Sequence, residues 1–196
     1  IISLLKVHLG FISKMEAVAY LVEKDEVFQK LHQQYGNPYI PTRPEGFQTL
    51  CKLILEQQVS IESARACYVK IEKALSDVTP QTIILVSEEA LRNCGVSRQK
   101  TIYLKALADA ILDKTLVLET LSQKHPDEVR SELIKIKGIG NWTIDVYLMF
   151  SLQSPDLPPW ASAQSSSPSL LRRSLAFMNS QQRVATKYEQ SMAVSA

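Results

Sequence analysis

The residues best placed to do chemistry lie in one short run, Leu133-Ile134-Lys135-Ile136-Lys137-Gly138-Ile139-Gly140-Asn141-Trp142-Thr143. Glycines on either side of one apolar residue let a tight turn join two helices, because glycine reaches positive φ at no steric cost. Ile139 can then fold back between those helices. The amides from about Gly138 to Trp142 come to lie at the start of the second helix, where they have no intrahelical acceptors. Such a helix start suits an anion, and a phosphate in particular. Lys137 adds a cation beside it and Asn141 a polar side chain. Contacts of this type hold a nucleic-acid backbone without reading its sequence. The tripeptide alone is also compatible with a plain interhelical loop.

Other reactive groups are few. Cys51, Cys67 and Cys94 stand far apart with no C-x-x-C pair, which points to reduced, buried thiols and away from zinc or an iron–sulfur cluster. Trp142 offers either an aromatic wall for a ligand or a core side chain. Gln57 and Gln58 end a helical stretch, where an exposed terminus is the ordinary expectation. Asp145 follows the glycine hairpin and reads as a solvated side chain.

The elements that must position these groups are helices. Val18, Leu21, Val22, Val27, Phe28 and Leu31 keep helical spacing until Tyr35-Gly36-Asn37-Pro38. Pro44 can open the next helix, with Phe47, Leu50, Leu53 and Ile54 on one face. Ser60 caps Ile61–Leu75, Thr79-Pro80 starts a short helix, and Glu88–Cys94 forms another, ended by Gly95. Ser97 caps Arg98–Lys114. Pro126 opens a helix to about Ile136, and Asn141–Leu152 follows the hairpin. No segment alternates like a strand, so the fold class is all-α with short helix-to-helix loops.

Composition agrees with a folded domain: 45% hydrophobic and 21% charged over 196 residues. No apolar run reaches the ~18 residues of a membrane span, so no membrane partner is expected. The formal charge of +2 says little. Residues 1–157 carry 18 basic and 19 acidic side chains, and residues 158–196 carry 4 and 1. Three stretches are expected. Residues 1–15 precede or reach the first methionine, Met15, and read as a non-native extension. Residues 16–157 form the helical domain. Residues 158–196 hold nine serines and no glycine, and read either as a weakly ordered tail or as an irregular helix pair.

The hairpin string, with Ile136, Gly138, Ile139, Gly140 and Thr143 in register, resembles the helix-hairpin-helix of the DNA glycosylase superfamily. Two further blocks resemble its AlkA-type, 3-methyladenine branch. One is Phe47–Val59 with Ser60-Ile61, similar to an "ILxQQVS" helix end. The other is Leu91–Leu107 with Gly95-Val96-Ser97-Arg98-Gln99-Lys100, similar to "GLSxxKxxYLxxLA". The resemblance implies a helix-hairpin-helix glycosylase fold and monofunctional hydrolysis of the N-glycosidic bond of alkylated purines such as 3-methyladenine, after base flipping, in base excision repair. It implies phosphate contacts at Lys137, Gly138, Ile139, Gly140 and Asn141, and a wedge at Gln58. Trp142 stands where bifunctional members carry a Schiff-base lysine, and is implied to line the base pocket, where cation–π attraction to an alkylated purine is worth ~0.5–2 kcal/mol. A monovalent cation at the hairpin carbonyls is implied too. Partners are double-stranded DNA with alkylated bases, for a monomer inside the cell, in cytoplasm and nucleoid or in the nucleus.

One departure matters. The resemblance places a catalytic aspartate shortly after Ser154-Pro155-Asp156-Leu157-Pro158, within Pro159–Ala163. That stretch reads Pro-Trp-Ala-Ser-Ala and holds no acid. A divergent or frameshifted C-terminal part is the expectation, with catalysis impaired. The alternative is a non-catalytic module that recognises damaged DNA through the hairpin.

Overall fold

The computed structural model describes residues 15–38 and 41–154. They belong to two compact units, one within Ile1–Pro41 and one within Thr42–Ala196. Every regular element among the described residues is helical.

The first unit contains a helical stretch over residues 15–24 and then α1 (Glu26–Tyr35). The apolar periodicity predicts one continuous helix, but the backbone breaks at Asp25. Its carboxylate accepts the N–H groups of Val27 (2.7 Å) and Phe28 (3.2 Å), and so starts a new helix as an N-cap. Gly36, at φ +71°, ends α1.

The second unit carries the core. Its helices are α2 (Phe47–Glu56), α3 (Ile61–Leu75), α4 (Pro80–Leu85), α5 (Glu88–Asn93), α6 (Arg98–Leu112), α7 (Leu118–Leu121), α8 (Pro126–Leu133) and α9 (Asn141–Phe150). Most starts are local in origin. The Ser60, Ser87 and Ser97 hydroxyls accept the amides of Ser63, Ala90 and Lys100, and Thr79 and Thr82 form a reciprocal capping box. The start of α2 is of another kind, and the helix follows Gly46 rather than opening at Pro44. Gly46 takes φ +114° and donates its N–H to the Tyr147 hydroxyl at 2.9 Å. The α2 start is therefore fixed from α9, a hundred residues away in sequence.

The core centres on α2, whose Leu50, Leu53 and Ile54 are fully buried. Leu104 and Leu107 of α6 and Ile144, Tyr147 and Leu148 of α9 belong to the same cluster. The end of α9 is held again where the Arg43 amide donates to the Phe150 carbonyl (2.8 Å), while the Arg43 guanidinium pairs with both Glu56 oxygens at 3.1 Å.

Burial pushes the Tyr147 phenol up from 10.0 to about 12. An acid harder to ionise when folded than when unfolded contributes stability that is intact below the unfolded value and lost as pH climbs through the folded one. Chemical denaturation should therefore show stability declining between about pH 10 and about pH 12, and Tyr147→Phe, which also costs about 0.5–1.5 kcal/mol at neutral pH, should flatten that decline. An unchanged alkaline limb in Tyr147→Phe would refute the assignment.

Candidate nucleic-acid interface

The hairpin joins α8 to α9. Gly138 sits at φ +92°, inside the left-handed region, and an added Cβ would lie 2.1 Å from Cγ of Tyr103. Gly138 is therefore required twice, by its backbone and by the aromatic ring of α6 laid against it. Gly140 differs from the sequence-based expectation. Its φ is −105° and an added Cβ would meet nothing within 4 Å. No conformational need holds glycine there. It is exposed, it is the N-cap of α9, and it supplies no side chain to cap the first turn.

The expected phosphate contacts separate on this geometry. Lys137, Gly140 and Asn141 are exposed, and Gly138 is half-buried. Ile139 keeps only 3% of its surface and packs in the core, while its N–H donates to the Ile136 carbonyl at 3.0 Å. Ile139 therefore shapes the turn from inside and offers no donor outward. Asn141 is oriented by Arg130, whose Nη1 donates to Oδ1 at 3.3 Å.

Asp145 is a second correction. The residue is only 5% exposed, and one carboxylate oxygen accepts Nη2 of Arg130. This α8–α9 pair, with the Asn141 contact, fixes the angle between the two helices of the hairpin. A buried carboxylate is tolerated because a guanidinium answers it. The sequence suggested solvation because Arg130 lies fifteen residues earlier.

The end of α2 reaches the same place. Gln58 is exposed and has φ +60°, a conformation that costs a non-glycine residue about 1–3 kcal/mol and marks a constrained turn. Gln57, expected as part of an exposed terminus, is instead half-buried. Its amide donates to the Gly138 carbonyl at 2.8 Å and to the Thr143 hydroxyl at 3.2 Å. Nothing in local sequence signals that link, although Gln57 adjoins a position that the sequence does single out.

From α6, Lys100 donates to the Leu55 carbonyl at 2.6 Å, in the last turn of α2, where a cation complements the helix dipole. Burial lowers the Lys100 ammonium from its ordinary value. Between the α2 end and the α6 start lies a cleft of about 240 Å³, lined by Gln57, Gln58, Val59, Gln99, Lys100 and Tyr103 among others. Trp142 does not line it. The indole is half-buried against the core at the foot of the hairpin.

Carbonyl oxygens in the hairpin are the donor type a hard monovalent cation takes. Those of Gly138 and Ile136 already accept N–H groups, so an ion there would use their second lone pairs and neighbouring carbonyls. Among the described residues no group of three metal-ligating side chains occurs, and no helix is long and apolar enough to cross a membrane.

A glycine hairpin thus joins two helices, the second helix starts without a side-chain cap, and a turn with positive φ lies beside it. Residues 51–191 match the HhH-GPD superfamily of base excision DNA repair proteins. This chain belongs to that superfamily. The HhH-GPD match covers the hairpin, the end of α2 and α6, and continues through the serine-rich stretch. DNA-3-methyladenine glycosylase 1 of Schizosaccharomyces pombe is 30% identical over 155 residues, 75% of this chain and 68% of that protein. The structure of an S. pombe 3-methyladenine DNA glycosylase in complex with abasic DNA superimposes with a TM-score of 0.65 at 28% identity, covering 74% of each chain. A Bacillus halodurans DNA-3-methyladenine glycosidase gives 0.62 at 34% identity, over 70% of this chain and 64% of that one. The all-helical HhH-GPD fold is thus established. Asp156 and Pro159–Ala163 lie outside the described residues, as do 1–14 and 158–196.

Proposed function

We propose that this chain binds double-stranded DNA as a monofunctional alkylpurine glycosylase of the 3-methyladenine type, acting as a monomer, and that hydrolysis is impaired for want of an acid in Pro159–Ala163. The observation that carries the DNA reading is the start of α9. A turn held by Gly138 and Ile139 presents exposed Lys137, Gly140 and Asn141 around a helix N-terminus that has no side-chain cap. A phosphate supplies the missing acceptor, and the helix dipole favours its charge. Gln58, on its strained turn, is the wedge that replaces an extruded base. Trp142 walls the base pocket.

Gly140→Asp tests this reading without confusing binding with folding. Aspartate is a good N-cap and there is open space for it, so α9 should be as stable as before or slightly more so. Its carboxylate would nevertheless occupy the anion site and repel phosphate. Duplex affinity in the parent should be sequence-independent and fall steeply with salt. In Gly140→Asp it should drop by at least tenfold with an unchanged melting temperature. Equal affinity would sink the hairpin assignment.

The pocket role of Trp142 has its own check. Trp142→Ala should lower the preference for alkylated over normal duplex severalfold while leaving binding to undamaged DNA unchanged. Parallel loss of helicity and of all binding would make Trp142 a core residue only.

A second reading is favoured by one observation, the absence of an acid across Pro159–Ala163. In that case the chain recognises damaged DNA without cutting it. Binding that discriminates lesions with no release of base distinguishes it.

A further inference from the structure

We propose that Gln57 is a positioning residue that couples the Gln58 turn to the hairpin, so that grip on the backbone and extrusion of a base proceed together. The proposal rests on the DNA-binding reading above. Gln57 caps the C-terminus of α2, and Gln58 follows it at φ +60°. The two N–H groups of one glutamine amide are both used, one on the Gly138 carbonyl (2.8 Å) and one on the Thr143 hydroxyl (3.2 Å). Those acceptors lie on either side of Gly140, the exposed start of α9. The amide therefore spans the hairpin turn.

The two ends of this link are otherwise immobilised. Gly138 cannot slide, because the Tyr103 ring occupies the space where a Cβ would stand. The α2 end is held from the far side by Lys100 on the Leu55 carbonyl. Between these fixed points the Gln57 amide is the side-chain link through which the hairpin sets the position of the Gln58 backbone. A side chain serving only to fill space would not need two donors, and the phosphate-binding turn would keep its shape without them, since Gly138, Ile139 and the Arg130–Asp145 pair already hold it.

The test uses the full chain and a duplex containing 2-aminopurine, whose fluorescence rises on unstacking, with anisotropy for affinity. Gln57→Met keeps the length and removes both donors. It should bind undamaged duplex within about twofold of the parent and with the same salt dependence, while the unstacking signal at saturation falls about fivefold or more, the worth of a lost hydrogen bond. Gln57→Lys, which restores a donor at similar reach, should recover most of the signal. If Gln57→Met proves unfolded by circular dichroism, Gln57→Asn, one methylene too short, is held to the same outcomes. An unstacking signal within twofold of the parent overturns the coupling and leaves the DNA reading intact. Affinity and signal falling in step also overturn it, since Gln57 would then merely brace the hairpin. A parent chain that binds no duplex removes the DNA reading and this inference with it.

Discussion

Gly138→Ala is expected to destabilise the second unit by roughly 2–6 kcal/mol, from backbone strain and overpacking of about 1–3 kcal/mol each. The backbone would have to hold φ near +92° with a methyl group attached, and that methyl would sit 2.1 Å from Tyr103 Cγ, with Cβ and Cδ1 of the same side chain at 2.5 Å. These are the atoms nearest the α6 backbone rather than the free end of a flexible side chain, so relief requires the helix itself to move. In a domain of this size the melting temperature should fall by about 5–20 °C, and duplex affinity should go with it because the hairpin no longer closes. Gly140→Ala is the control. Its Cβ enters open space at an ordinary φ, and the cost should stay within about 1 kcal/mol, the difference between glycine and alanine at an N-cap. Circular dichroism melts of both variants decide the matter. Equal shifts for the two glycines would refute the asymmetry.

That asymmetry marks where sequence stops being informative. Ser60, Thr79 and Ser97 announce their helices because an N-cap works within three residues, and the capping distance is short enough to be visible in the string. The hairpin is visible for the same reason. What sequence treats alike, two glycines flanking an isoleucine, three dimensions separate, because the Tyr103 ring arrives from thirty-five residues away. Gln57, Tyr147 and Asp145 were obscure on the same grounds: their acceptors, donors and counter-charges are Gly138, Gly46 and Arg130, none of them a local neighbour. Asp25 failed differently. Its capping bonds are local, but an unbroken apolar rhythm from Val18 to Leu31 masked a helix break that one carboxylate could make. The resemblance of three sequence blocks to the glycosylase family succeeded because those blocks meet in space: the end of α2 and the hairpin share Gln57, and α6 touches both through Lys100 and Tyr103.

The largest effect is expected in catalysis. This chain should release alkylated purines from methylated duplex DNA at a rate at least ~10²–10³-fold below that of a glycosylase with its carboxylate in place, the range lost when one preorganised electrostatic stabiliser is removed. Cleaving an N-glycosidic bond builds positive charge on the sugar, and a carboxylate placed against it lowers the barrier and orients water, as in glycoside hydrolysis. The sequence resemblance implies that acid within Pro159–Ala163, and the residues there are proline, tryptophan, alanine, serine and alanine. None carries charge. Asp156 stands at least three residues too early, and displacement of a catalytic group by as little as ~1 Å can cost ~100-fold. Asp145 cannot substitute, because it is buried and already answers Arg130. The assay is base release followed by alkaline cleavage of abasic sites, run on the parent, on Asp156→Asn, and on single aspartate replacements from Pro159 to Ala163. A parent without turnover, unaffected by Asp156→Asn and rescued by one of the replacements, fits the missing-acid account. Full turnover in the parent, abolished by Asp156→Asn, would move the catalytic position to Asp156 and end that account.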